Sequence, residues 1–367
     1  TIAPLFFLFR AVTVLPIALR RKIPFKQWMT STLFRFALGA LSPRHIQAVV
    51  PSTVETYAAW IRTKEPQEGF QKLQLKAQTV PLHVEPAASI LWLGDPSRAT
   101  KFVLFFHGGG YVVPLHPGHL DWCWNGYVSQ QEPEGSEKGP RPHEVAVAIL
   151  QYSLSPGAKY PTQQRQAVAA LDYLLGRGIA PRDVIVGGDS AGGNLTVQLL
   201  HHLAHRRQPG TPPLGDPAAA RFAGIFLVSP WVSGHHDTVS YRDNGAVDML
   251  SAPIVAGSTA HVLGSVGARE SGAHPALPLD GNLGWLGAIQ RLTGSLYVTC
   301  GYQEVFRDDI LSFAEAVRLR NPGLDVKVDV GAREVHDAIL LEGAHAVVGD
   351  ATRRMRAWAS SQLQEES

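Results

Sequence analysis

VIVGGDSAGG, residues 184–193, is the stretch on which the fold turns. A short apolar run ends in Gly188-Asp189-Ser190-Ala191-Gly192, a G-x-S-x-G element, and NLTVQLLHHLAHRR follows with an apolar face of helical period. The uninterrupted β-branched run predicts a strand buried on both faces, so the segment reads strand, tight turn, helix. A serine on so sharp a turn has strained backbone angles, and small residues at 188 and 192 let strand and helix pass closely. Its hydroxyl then projects above the sheet at the positive end of a helix, where developing negative charge is favoured.

Outward from this element, further apolar runs predict strands at 73–80, 88–94, 101–106, 144–152, 222–230, 295–301 and 324–330, eight in all, with a helix over about 163–175. Alternation of the later strands with helices predicts an α/β class with a mostly parallel sheet, helices on both faces and ligands bound beyond the carboxyl ends of the strands. The 367 residues are read as a single domain: a core of about 70–232 and 291–367, and a helical cap formed by about 1–65 and about 233–290. Polar Gly/Pro-rich runs at 131–141 and 208–217 read as loops away from the chemistry.

Composition narrows the function classes. Hydrophobic residues make up 45% and charged residues 17%, an ordinary globular balance, and a net charge of +2 without a basic run interleaved with aromatics gives no case for nucleic acid. Two cysteines, Cys123 and Cys300, supply neither a disulfide framework nor a metal quartet and say little about compartment beyond not supporting a disulfide-rich secreted protein; an intracellular location is the separate expectation. Residues 1–19 are apolar almost all round and lead into Arg20-Arg21-Lys22. That pattern suits contact with a membrane surface better than a span, because Arg10 in mid-span would cost about 2.5–3.5 kcal/mol. The competing reading is a helix packed over the protein's own pocket. The chain opens on Thr1 rather than Met, which leaves room for a removed targeting segment. Oligomeric state is not legible.

Acyl transfer by a serine needs a base, an acid that orients it and donors for the oxyanion. His107-Gly108-Gly109-Gly110 follows the third strand; its backbone N–H groups can turn inward, and it lacks the Lys-Ser/Thr ending of a phosphate loop. Gly108 and Gly109, with Ala191, are the expected oxyanion donors, Gly110 standing in reserve. The His107 ring is expected to hold the loop. Of fifteen histidines, His336 stands six residues beyond the last strand, where a loop begins a helix, and is the expected base. Glu304, three residues after SLYVTCG, is the expected acid; Asp308 is the alternative, though it and Asp309 read as first-turn acids of a helix. His116, His119, His235 and His236 sit in predicted loops with no zinc-site spacing, so no metal site is expected. Trp231, Tyr241 and Trp122-Cys123-Trp124 are candidate pocket walls that fit a core equally well.

Together these residues resemble the hormone-sensitive-lipase-like branch of the α/β-hydrolase superfamily. HGGG at 107–110, GDSAGG at 188–193 about 80 residues later, and a histidine after the final strand carry the resemblance, and YSLSPGAKYP at 152–161 is similar to the family's segment after the fourth strand. Two departures stand out: Ser153 and Gly157 replace a common arginine and glutamate, and GYQEVFRDD puts Glu304 where the family commonly has aspartate. The second resembles a fungal-type subgroup associated with small-molecule metabolism. The resemblance implies an esterase or deacetylase acting without a cofactor on a small-molecule acyl ester. An acyltransferase or non-hydrolytic cyclase using the same serine, or a non-catalytic binder on the same scaffold, remain the alternatives.

Overall fold

The computed structural model describes residues 2–66, 76–129, 144–206, 221–263 and 276–364. Its centre is an eight-stranded sheet in the order β1-β2-β4-β3-β5-β6-β7-β8: β1 Gln78–Pro81, β2 Ser89–Leu93, β3 Lys101–Phe106, β4 Val145–Gln151, β5 Val184–Asp189, β6 Gly224–Val228, β7 Ser295–Gly301 and β8 Asp325–Gly331. β2 is antiparallel to both β1 and β4, and every later pairing is parallel. The expected mostly parallel eight-stranded α/β sheet is therefore present. Of the expected 73–80 strand, 73–75 lie outside the described residues and pairing begins at Gln78. The 131–141 and 208–217 runs also lie outside them.

Burial follows pairing. β3, β5 and β6 are buried at every position, which is why their sequences run apolar without alternation. β8 is an edge strand with one neighbour, and DVKVDV alternates accordingly. Side chains leave opposite faces in turn. Phe102, Leu104, Val184 and Val186 enter one core with helices α7 (Thr162–Gly176), α8 (Ala191–Arg206) and α11 (Arg307–Arg320). Val103, Phe105 and Ile185 enter the other, with α5 (Thr53–Lys64), α6 (Pro117–Cys123) and α12 (Asp350–Leu363). Removing each such side chain from water contributes about 1.5–3 kcal/mol. Trp122, Cys123 and Trp124 belong to this second core, where Trp122 meets Phe105 edge-on at 4.9 Å.

The chain leaves β3 toward β4 on one side and then returns to β5 on the other, so the crevice between β3 and β5 is the topological switch point. Four helices, α1 (Ile2–Thr13), α2 (Leu15–Arg20), α3 (Phe25–Ala40) and α4 (Pro43–Val49), meet this end of the sheet. Arg21 donates to Asn244 Oδ1 (2.8 Å) and Asp243 O (2.9 Å), at the end of α9 (Val239–Asn244). Arg35 of α3 donates to Asp248 O (2.9 Å) and Leu250 O (2.7 Å), just before α10 (Ala252–Leu263). Gln47 of α4 donates to the carbonyls of Val112 (2.8 Å) and Ser155 (2.7 Å). The N-terminal helices and the 239–263 segment are thus tied to each other and to the loop after β3.

Candidate active site

Ser190 occupies the turn between β5 and α8 with φ +50°, left-handed for a residue with a Cβ. The conformation is held by three backbone hydrogen bonds: Ser190 N–H to Val228 O (2.8 Å), and Ser190 O from Asn194 N–H (2.9 Å) and Trp231 N–H (3.0 Å). Small neighbours are obligatory. A Cβ on Gly188 would stand 2.1 Å from Phe106 O, and one on Gly192 1.9 Å from the same atom.

His336 Nε2 lies 3.0 Å from Ser190 Oγ, and both residues are buried. His336 follows β8 on a loop whose peptide N–H donates to Asp248 Oδ1 (3.2 Å), while the Phe306 ring meets the imidazole edge-on at 5.1 Å. Glu304 is fully buried behind the ring, with Oε1 3.5 Å from Nδ1, an ion-pair separation longer than a good hydrogen bond. Its other oxygen is fixed by Ser229 Oγ–H and Gly301 N–H, both at 2.7 Å. Asp308 faces elsewhere, accepting from Ser240 N–H (2.8 Å) and Arg307 Nε (2.9 Å).

Two further carboxyl groups surround the His336 ring, and sequence reasoning missed both. Asp337 adopts φ +53°, which turns its Oδ2 to 3.2 Å from His336 Nε2. Asp248 comes from the segment between α9 and α10 and accepts N–H groups on both sides of the site: Val305, next to Glu304, at 2.8 Å, and His336 at 3.2 Å. Burial pushes the Asp248 carboxyl up to about 6. For His336 burial works against the imidazolium, but the carboxyl groups of Asp337, Glu304 and Asp248 outweigh it and hold the ring above the ordinary imidazole range. An acidic residue directly after the histidine was visible; its left-handed backbone was not.

The glycine loop is built from the same kind of contacts. His107 Nδ1 lies 2.8 Å from Gly108 O, its ring stacks on Tyr152 at 4.3 Å, and burial lowers it to about 3, so it is neutral and holds the loop. Tyr152 OH donates to His107 O at 2.7 Å. Gly109 and Gly110 have φ +105° and +59°, values a side chain would resist. Gly108 N–H, one of the expected oxyanion donors, is engaged elsewhere: it donates to Asp189 Oδ1 at 3.0 Å. The other Asp189 oxygen lies 3.1 Å from His119 Nε2, and His119 Nδ1 accepts from His116 N–H, which fixes the proton on Nε2. Asp189 therefore ties the glycine loop to the serine turn. With its N–H on Asp189, Gly108 leaves Gly109 and the reserve Gly110 as the remaining donor candidates of the loop.

A cavity of about 200 Å³ borders this loop, lined by Leu38, Leu41 and Ile46 from the N-terminal helices, Val112 from the loop, and Ile254 and Ser258 of α10. Tyr241 and Trp231 are buried beside the site, the Trp231 indole N–H donating to Ser233 O at 2.8 Å, as core members rather than lining of this cavity. Among the described residues no group of three or more His, Cys, Asp or Glu side chains is placed to hold a metal ion.

A family model described as alpha/beta hydrolase fold matches residues 103–340. The chain is 33% identical over 124 residues to an ethyl acetate hydrolase of Pseudomonas putida, covering 33% of this chain and 35% of that protein. It is 29% identical over 229 residues to an acetyl-hydrolase of Streptomyces hygroscopicus, covering 61% and 64%. The chain thus spans between about a third and two thirds of the length of these curated relatives. Among solved structures, a thermostable esterase from Pseudomonas putida superposes with a TM-score of 0.66 at 21% identity, over 94% of this chain and 98% of that one. An esterase of the bacterial hormone-sensitive lipase family gives 0.60 at 22%, over 92% and 98%.

Proposed function

Since the chain belongs to the alpha/beta-hydrolase fold family, we propose that it is a serine carboxylic-ester hydrolase that works through an acyl-enzyme. The observation that carries this reading is the 3.0 Å approach of His336 Nε2 to a serine hydroxyl on a strained turn, with buried Glu304 behind the ring. Ser190 Oγ attacks the ester carbonyl as His336 Nε2 takes its proton. Glu304 holds the ring with Nδ1–H toward the carboxylate and stabilises the imidazolium. The N–H groups of Gly109, Gly110 and Ala191 receive the carbonyl oxygen as it becomes negative. Collapse expels the alcohol, which leaves with the proton from His336; water, deprotonated by the same nitrogen, then releases the acid and frees Ser190.

The N-terminal helices and the 233–290 segment act as the cap, and the apolar cavity beside Val112 receives the alcohol or acyl portion. The names of the relatives favour acetyl and other short acyl esters of small molecules, and the glutamate at 304 fits the fungal-type subgroup that the sequence resembles. Wild-type protein is expected to hydrolyse p-nitrophenyl acetate, and Ser190→Ala to lose roughly 10⁴-fold or more in kcat. A Ser190→Ala protein that keeps its activity contradicts the proposal. Product analysis in the presence of added alcohols separates hydrolysis from acyl transfer.

A further inference from the structure

The N-terminal helices are amphipathic in the wrong sense for a water-exposed surface. On α1 the residues at i, i+3, i+4 and i+7 that face outward are Leu5, Leu8, Phe9 and Val12, each between 62% and 68% exposed. On α3 the outward stripe is Phe25, Met29 and Leu33, each 51% or 52% exposed. Ile17 and Leu19 continue it along α2. The inner faces are satisfied already: Phe6 and Phe7 both pack on Phe36, at 5.1 and 5.8 Å. Arg10, which would oppose contact with lipid, is only 4% exposed and turns inward to Thr32 Oγ1 at 3.4 Å.

Charge gives the second observation. The first 54 residues hold seven arginines and lysines and no aspartate or glutamate. Arg10, Arg21 and Arg35 are tied to protein partners. Arg20, Lys22 and Lys26 are left exposed at the ends of α2 and α3 beside the apolar stripes, and Arg44 is exposed on α4. An apolar face set with cations alone would repel a second copy of itself, whereas it matches the headgroup and upper acyl region of an anionic bilayer.

We propose that the outer face of α1–α3 docks on anionic lipid bilayers and lies along the surface. No helix among the described residues is long and apolar enough to cross a membrane; the 12 residues of α1 reach only about 18 Å, against a hydrocarbon core of about 30 Å. α3 carries one apolar stripe outward and places Leu38 and Gly39 in the wall of the cavity beside the glycine loop. Docking therefore sets that cavity next to esters dissolved in the bilayer.

Co-sedimentation with phosphatidylcholine vesicles, with and without phosphatidylserine, tests this. The protein is expected to pellet with the serine-containing vesicles and to be released by high salt. Lys22→Gln with Lys26→Gln is expected to weaken binding roughly 25-fold, about fivefold per charge, and Leu8→Glu with Phe9→Glu to abolish it. All of these variants should turn over soluble p-nitrophenyl acetate as the wild type does, which shows that they are folded. Absence of vesicle binding overturns the proposal. So does equal binding to both vesicle types without salt dependence. Dimerisation that Leu8→Glu abolishes, without lipid binding, overturns it in favour of self-association.

Discussion

His336 sits among three carboxyl groups, and this decides how the site must respond to pH. Only the neutral ring can take the Ser190 proton, and its pKa is held above the ordinary imidazole value because Asp337, Glu304 and Asp248 outweigh burial. Activity is therefore expected to rise with pH into the alkaline range. Asp337→Asn removes the closest of the opposing charges on the Nε2 side, 3.2 Å away. In a kcat/KM profile the rise should then move to lower pH; an unmoved profile means that Asp337 does not face the working base. Glu304→Gln should lower kcat by roughly 10²- to 10⁴-fold, whereas Asp308→Asn, whose carboxylate caps contacts with Ser240 and Arg307, should leave it within a few-fold. The reverse result transfers the acid's role to Asp308. That Ser190, Glu304 and His336 come together was readable because each follows a strand at a spacing the sequence displays. Asp337 and Asp248 were not. The first depends on a left-handed φ, and the second meets His336 across 88 residues of chain, so neither leaves a local pattern.

At the scale of elements, the turn after β5 is fixed by what it cannot hold. Phe106 O lies so near Gly192 that any side chain collides with backbone, which has no rotamer to yield. Gly192→Ala is expected to destabilise the protein by about 3 kcal/mol or more, the upper end for overpacking, readable as a lower midpoint in urea. A midpoint within error of wild type would mean that β3 and α8 are not in this close contact. The strands were legible for a related reason: full burial in the middle of the sheet demands apolar runs, and the half-exposed edge demands alternation, as in DVKVDV of β8. The glycine loop was legible as a loop but not atom by atom. Gly108 reads like its neighbours until Asp189, the unassigned residue of the serine motif, is seen accepting its N–H.

Across the whole molecule, the N-terminal helices are joined to the chemistry by a short series of contacts. Arg35 holds the carbonyls of Asp248 and Leu250, and the Asp248 carboxylate holds the backbone beside both the acid and the base. Such packing between segments far apart in the chain has no signature in periodicity, and so the sequence indicated helices over 1–65 without indicating what they grip. Arg35→Met should loosen the 239–263 segment, seen as faster amide exchange in α10, and lower kcat; unchanged exchange and kcat would sever this link. All of it rests on Ser190 being the nucleophile. The most direct measurement is the intact mass and peptide map of the protein after brief exposure to a fluorophosphonate. A single adduct on the peptide carrying Ser190, absent from His336→Ala under the same conditions, is the predicted result. A protein that stays unlabelled, or one labelled at another residue, contradicts the account.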